Sequence, residues 1–186
     1  MTTAPRTTRQ VLAAAGPALV GALAVLFASV GGGWPPRRSA LGFMIGSWGA
    51  RLTVQQLHAR GLPILLPASS ASLMSFALVF AVPAFFISRN VDEGFSTVEF
   101  IASAAWMIAF VGETTADRQW LRFASKPEHA GLPGRVGLWR HLPHAHAVFE
   151  TAIWAAFALF ASASPWSWIA WACPAALLYS HFTRRC

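Results

Sequence analysis

Acidic residues are scarce in this sequence: seven Asp and Glu stand against fourteen Lys and Arg, and none occurs before Asp92. Charged residues of both signs make up only 11% of the 186 residues, whereas 55% are hydrophobic and the mean hydropathy is +0.50. Soluble domains typically carry about 25% charged residues. The chain is therefore too apolar for a soluble domain, and its composition predicts a polytopic membrane protein.

Cysteine is also rare, with Cys173 in the last apolar segment and Cys186 at the final position. This placement argues against a disulfide between the two, and no group of cysteines has the spacing of a metal-thiolate site. The two cysteines leave the redox compartment of the protein open.

Six apolar segments are long enough to cross a hydrocarbon core about 30 Å thick. They cover residues 11–30, 41–57, 64–88, 95–112, 147–163 and 166–182. The second is the weakest because it contains Arg51. Backbone polar groups in lipid need partners within their own segment, which favours helices. The predicted fold class is all-α, with residues 1–186 forming a single transmembrane domain of about six spans. Prolines at 17, 67, 83 and 174 predict kinks.

The distribution of Lys and Arg predicts the orientation, because basic residues in short loops are retained on the inner side. With the N-terminus inside, all of the fourteen basic residues except Arg37, Arg38 and Arg89 lie on that side. The prediction is N-in and C-in. The net charge of +7 then follows from this topology and from anionic lipid headgroups. The expected partners are membrane lipids and other membrane protein subunits, with no nucleic acid.

The N-terminal ten residues are rich in Thr and Arg. The first apolar segment is longer than the core of a cleaved signal, so we expect it to stay as an uncleaved span. A mitochondrial transit peptide is the alternative, although Arg6 and Arg9 are few for one. The expected location is a bacterial inner membrane or a mitochondrial inner membrane.

Chemistry is expected in the run at 113–150, which forms a predicted inner loop rich in charged and histidine residues. It opens with acid-x-x-x-Asp-Arg-Gln-x-x-x-Phe from Glu113 to Phe123, and a Pro and Gly loop then leads to Gly-Leu-Trp-Arg at 137–140. This order resembles the signature of the steroid 5-alpha-reductase-like family of integral membrane reductases, of which isoprenylcysteine methyltransferases are distant relatives. Trp48 and Arg51 also resemble that family's Trp-x-x-Arg-Leu helix end.

The resemblance implies an NADPH site. In the family, Gly-Leu-Trp-Arg is followed by Tyr-x-Arg-His-Pro-Asn-Tyr-Phe-Gly-Glu, which helps to hold the cofactor. The resemblance places cofactor contacts at Asp117, Arg118, Arg122, Arg140, His144, His146 and Glu150. Together with Arg135, the arginines among them supply positive charge that attracts phosphates.

The second half of the motif is eroded. His146 stands at the family's Asn, Ala147 at its second Tyr and Phe149 at its Gly. A Glu-Asp-x-Arg-Tyr segment is missing after Gly61, and the family's C-terminal extension is missing after Cys186. Hydride transfer needs a closely held nicotinamide, since a displacement of about 1 Å can remove on the order of 100-fold in rate. The resemblance therefore predicts poor reductase chemistry.

Charges inside apolar segments are costly and need partners. Arg51, Glu113 and Glu150 lie at similar predicted depth, and Glu113 shares a helix face with Asp117. We expect Arg51 to pair with Glu113 or Glu150 within about 4 Å. A structural ion pair and a cofactor role both remain open.

The histidine cluster can also be interpreted as a metal site. His146 and Glu150 are four residues apart, so both could offer a ligand from one helix face, and His141 and His144 lie beside them. No second cluster supplies the remaining ligands, so no metal is expected. The histidines also lie at segment ends rather than within spans, which argues against haem.

These features favour a non-catalytic accessory subunit of a larger membrane assembly, built on a degenerate reductase-like bundle with no cofactor. The alternative is an active NADPH-dependent reductase of a lipid or sterol enone double bond, with His146 replacing the missing amide. A methyltransferase that uses S-adenosylmethionine ranks third. Whether the protein is an enzyme stays open, with the non-catalytic interpretation preferred.

Overall fold

The computed structural model describes residues 8–58, 70–129, 136–142 and 144–183. Within these ranges the chain forms helices and turns, without a strand, which confirms the all-α prediction for the described part. The α-helices are α1 (Thr8–Val30), α2 (Pro35–His58), α3 (Ser70–Arg89), α4 (Thr97–Ala124), α5 (Leu138–His141), α6 (Ala145–Ala161) and α7 (Ala172–Thr183). Short 3-10 helices cover Pro127–His129 and Ser167–Trp171.

Each predicted segment corresponds to a helix, with three differences. Helix α2 begins at Pro35, six residues before the predicted start at 41. Helix α4 continues to Ala124, past the predicted end at 112. Glu113 and Asp117 have buried partners there, so their charges do not interrupt the helix. The last segment is divided, and its 3-10 part ends where α7 begins. Pro174 therefore lies in the first turn of α7, where a missing backbone donor breaks no helical bond. Pro67 and residues 64–69 lie outside the described ranges.

In the described part, only α4 is long and apolar enough to cross a membrane by itself. Shorter apolar helical stretches are Ala14–Val30, Val79–Arg89, Ala145–Ala161 and Ser167–Tyr179. These lengths and compositions are compatible with a helical membrane bundle.

Helix α6 lies at the centre of the packing, against α4, α7 and the second 3-10 helix. Its buried face presents large aromatic side chains because the apolar residues recur at helical spacing. Trp154 packs edge-on against Trp48 of α2 at 4.9 Å between ring centroids. Phe157 packs against Phe80 of α3 at 5.5 Å. These contacts tie α2, α3 and α6 into one apolar core.

Helices α1 and α2 make the closest helix pair, and glycines permit it. A Cβ added to Gly49 would lie 2.6 Å from the carbonyl oxygen of Pro17 and 2.8 Å from the Cα of Gly21. Both obstacles are backbone atoms, so neither can turn away. Small residues at such crossings let helix backbones meet directly.

Gly49→Ala is expected to lower the free energy of unfolding by about 1–3 kcal/mol, because α1 and α2 must separate to admit the methyl group. Chemical denaturation in detergent micelles would measure the change. Gly32→Ala is the matched control, since nothing lies within 4 Å of a Cβ at that position. Equal midpoints for the two variants would contradict the proposed close packing.

Candidate functional site

Six polar side chains from three helices meet between α2, α4 and α6. We call them the Arg51 cluster: Arg51 and Gln55 of α2, Glu113 and Asp117 of α4, and His146 and Glu150 of α6. Each helix contributes two residues spaced by four, which puts both on one helix face. The cluster is the densest group of charges in the described interior.

Arg51 joins α2 to α4. Its Nη2 forms an ion pair with Glu113 Oε2, and its Nη1 donates to Asp117 Oδ2 at 3.0 Å. Gln55 Nε2 donates to the same Asp117 oxygen at 2.8 Å. The predicted pairing of Arg51 is therefore confirmed with Glu113, and Asp117 is a second partner that the sequence did not specify.

His146 joins α6 to α4 on the opposite side of the same carboxylates. Its Nδ1 lies 2.8 Å from Asp117 Oδ1 and 3.3 Å from Glu113 Oε1. Each carboxylate therefore offers one oxygen to Arg51 and the other to His146. The two helix-helix contacts share one pair of acids.

Glu150 has a different set of partners. It accepts hydrogen bonds from the indole nitrogens of Trp48 at 3.2 Å and Trp154 at 3.0 Å, and its carboxyl group also contacts that of Glu113. Two indole donors satisfy the carboxylate without an ion pair. Of the two acids that the sequence proposed as partners, Arg51 therefore pairs with Glu113.

The structure divides the seven residues that the resemblance assigned to a cofactor. Asp117, His146 and Glu150 are at most 5% exposed and belong to the Arg51 cluster. The others, Arg118, Arg122, Arg140 and His144, are exposed. Arg135 lies outside the described ranges. The predicted set is thus split into a buried acid and histidine group and an exposed basic group, and its cofactor role stays a prediction.

The Gly-Leu-Trp-Arg motif packs on α4. The indole of Trp139 donates to the carbonyl oxygen of Ala116 at 2.8 Å, and the backbone N–H of Leu138 donates to Gln119 Oε1 at 2.7 Å. Gly137 has a φ of 50°, and a Cβ there would meet Gln119 Oε1 at 2.3 Å. The motif therefore has a structural use of its own, which is to attach α5 to α4.

Phe149, which stands at the family's glycine, fills space between α4 and α6. A Cβ on Gly112 would lie 2.4 Å from the Phe149 ring, so the ring packs directly on that glycine. Any volume that a glycine would leave open at this point is occupied by the side chain.

A cleft of about 340 Å³ opens between α2 and α4 beside the cluster. Arg51, Val54, Gln55, Thr114, Asp117, Arg118 and Leu121 line it. Most of the exposed area of the lining is apolar, although five of its seven residues carry a polar or charged group. The cleft gives small molecules or ions access to one side of the Arg51 cluster.

A second buried ion pair, Arg37 with Glu99, was not predicted from the sequence. Arg37 Nε donates to Glu99 Oε1 at 2.6 Å, and the two residues are 3% and 0% exposed. A signal for it exists, because Arg37 and Arg51 have the same fourteen-residue spacing as Glu99 and Glu113. At 1.5 Å per residue, two parallel helices with this spacing bring both pairs together about 21 Å apart.

The class defined by these features is an all-helical bundle with a buried charged cluster beside a cleft. A family described as a protein of unknown function, DUF1295, matches residues 71–184. The chain belongs to this family, which is associated with steroid 5-alpha-reductase-like proteins. No curated protein and no solved structure matches the chain.

Proposed function

We propose that this protein is a non-catalytic accessory subunit of a larger membrane assembly, built on a degenerate steroid-reductase-like bundle. The proposal includes about six spans, both termini inside, and a bacterial or mitochondrial inner membrane. The observation that carries it is the occupation of the buried part of the predicted cofactor set by internal partners.

Each buried member of that set already has the partners its chemistry requires. Asp117 forms hydrogen bonds with Arg51, Gln55 and His146, and Glu150 accepts hydrogen bonds from two indole N–H groups. A dinucleotide that used these groups would have to displace hydrogen bonds inside the protein, each worth about 0.5–1.5 kcal/mol net. The set therefore fits a role in holding α2, α4 and α6 together.

The size of the cleft supports the same conclusion. Pockets for drug-sized ligands measure about 300–1,000 Å³. At about 340 Å³ the cleft is at the lower end of this range, whereas NADPH is larger than a drug-sized ligand. Phe149 also fills the place of the family's glycine. This cleft thus offers little room for a whole dinucleotide.

The surface of α4 supports a location in a membrane. Phe100, Ile101, Ile108 and Val111 on this helix are 54–71% exposed, whereas its charged residues Glu99 and Glu113 are fully buried. Apolar side chains outside and paired charges inside are expected of a helix surrounded by lipid or by partner helices. The same surface is available to a neighbouring subunit.

The alternative is an NADPH-dependent reductase of a lipid or sterol enone, and the cleft is the observation in its favour. Asp117 and Arg118 both line it, so one acidic and one basic residue of the predicted cofactor set lie at an accessible, mostly apolar surface. In that reading Arg122, Arg140 and His144 would attract the phosphates from the exposed side. His146 would take the place of the missing amide.

Calorimetry with NADPH tests the proposal on the purified full chain in detergent or nanodiscs. We expect no saturable heat up to millimolar cofactor, and no difference between the wild type and Arg140→Ala. Arg140 is exposed, so its removal should leave the fold intact. Saturable binding that is lost in Arg140→Ala would overturn the non-catalytic interpretation and justify a screen of enone substrates.

The accessory role is tested in the same preparation before purification. After extraction in mild detergent, native electrophoresis should show the protein migrating with a larger complex. A homogeneous free monomer that also binds no NADPH would contradict the accessory role.

A further inference from the structure

The carboxylate oxygens of the Arg51 cluster face in two directions. Arg51 contacts Oε2 of Glu113 and Oδ2 of Asp117. The other two oxygens, Glu113 Oε1 and Asp117 Oδ1, face the Nδ1 atom of His146. Two oxygens and one imidazole nitrogen therefore converge on the side of the acids that Arg51 leaves free.

The spacing of these three atoms matches that of metal ligands. One ligand atom from each residue lies within 4.8 Å of the others, and the two distances to Nδ1 are 2.8 and 3.3 Å. Bonds of about 2.0–2.1 Å in a tetrahedral zinc site put neighbouring ligands about 3.3 Å apart. A small shift of Asp117 would complete the geometry.

Unsatisfied atoms at the centre of the cluster also point to a ligand. Glu113 is completely buried, and its oxygens meet Arg51 in an ion pair and His146 Nδ1 at 3.3 Å, but neither contact has the geometry of a hydrogen bond. Buried polar atoms of this kind usually have a water molecule or an ion as partner.

The charge of the cluster favours a cation. Glu113, Asp117 and Glu150 are three acids, whereas Arg51 is the single permanent cation among them. When all three acids are ionised and the imidazole is neutral, the cluster has a net charge of −2, which one divalent cation would balance. Buried charge without compensation is costly, so a bound cation would stabilise the cluster.

We propose that Glu113, Asp117 and His146 bind a divalent transition-metal ion of the zinc type. The metal replaces the proton that His146 Nδ1 shares with Asp117 Oδ1 at 2.8 Å, which leaves for the solvent, and a water molecule takes the fourth position. The imidazole ligand selects zinc over magnesium, which prefers oxygen alone. The ion would fasten α4 to α6. This site shares His146 with the histidine group considered from the sequence, but His141 and His144 are exposed and take no part in it.

Equilibrium dialysis with metal analysis tests the site on chelator-treated full-length protein in detergent. We expect one Zn²⁺ per chain at micromolar free metal, no competition by millimolar Mg²⁺, and a melting temperature that rises with Zn²⁺. His146→Ala should weaken binding by at least tenfold and remove the thermal shift. His141→Ala is the matched control and should bind like the wild type, because that histidine lies on the surface.

Cobalt absorption on the wild-type protein keeps the test decisive if His146→Ala does not fold. Four-coordinate Co²⁺ with oxygen and nitrogen ligands gives intense visible d–d bands without sulfur charge-transfer bands. Weak bands typical of six-coordinate Co²⁺ would overturn the proposal. So would the absence of Zn²⁺ binding by the wild type, or binding that His146→Ala leaves unchanged while the variant is folded. None of these outcomes depends on the result with NADPH.

Discussion

Arg51→Met is expected to lower the free energy of unfolding by about 3–5 kcal/mol, the usual effect of removing one partner from a buried ion pair. The substitution keeps an unbranched side chain in place of the arginine stem but leaves Glu113 and Asp117 buried without their cation. Glu150 contacts Glu113, so the remaining acids would repel one another. Helix α2 would lose its polar attachment to α4.

Chemical denaturation in detergent micelles would measure this loss, with Arg118→Met as the control. Arg118 follows Asp117 directly on α4 but is exposed, so its replacement should change stability by less than about 0.5 kcal/mol. Neutralising the acids in the same chain, with Glu113→Gln and Asp117→Asn added to Arg51→Met, should restore part of the stability. A variant Arg51→Met as stable as Arg118→Met would refute the structural role of the pair.

Arg37→Met should have a similar effect at the other end of α2 and α4, again about 3–5 kcal/mol. Arg37 donates twice to Glu99, and it also donates to the backbone carbonyl oxygens of Asp92 at 2.6 Å and Gly94 at 2.8 Å. Its removal leaves Glu99 fully buried without a counter-ion and releases the turn that precedes α4.

Arg89→Met is the matched control for this second variant. Arg89 ends α3 at the same end of the bundle, but it is exposed and lies over the Phe85 ring at 4.7 Å without an acidic partner among the described contacts. An exposed cation-π contact of this kind is worth about 0.5–1 kcal/mol. Arg37→Met should therefore have a clearly lower melting temperature than Arg89→Met. Equal melting temperatures would show that the Arg37–Glu99 pair adds no more stability than the exposed cation-π contact.

The sequence predicted the helices well because long apolar runs leave the backbone few alternatives. The end of α4 and the division of the last segment were missed, since both depend on contacts from outside the segment. The acids of α4 are buried by α2 and α6, so the helix continues where composition suggested a loop.

The Arg51 cluster was predicted in part. Helix depth brought Arg51, Glu113 and Glu150 to one level, but depth cannot choose between two acids at that level. Trp48 and Trp154 make the choice, because their indoles occupy Glu150 and leave Glu113 to Arg51. His146, which the resemblance places at a cofactor, faces Asp117, and its cofactor role stays a prediction.

The sequence by itself determined the helical class, the approximate helices, membership in a family with reductase-like motifs and the presence of charges that need partners. These properties follow from local composition and periodicity, which act within one segment. Tertiary structure alone decided which charges meet, that Arg37 and Glu99 form a second pair, that Phe149 covers Gly112, and that three ligand atoms converge beside Arg51. Those outcomes depend on the course and rotation of three helices, with α2 and α4 parallel to each other and α6 antiparallel to both, which no single segment encodes.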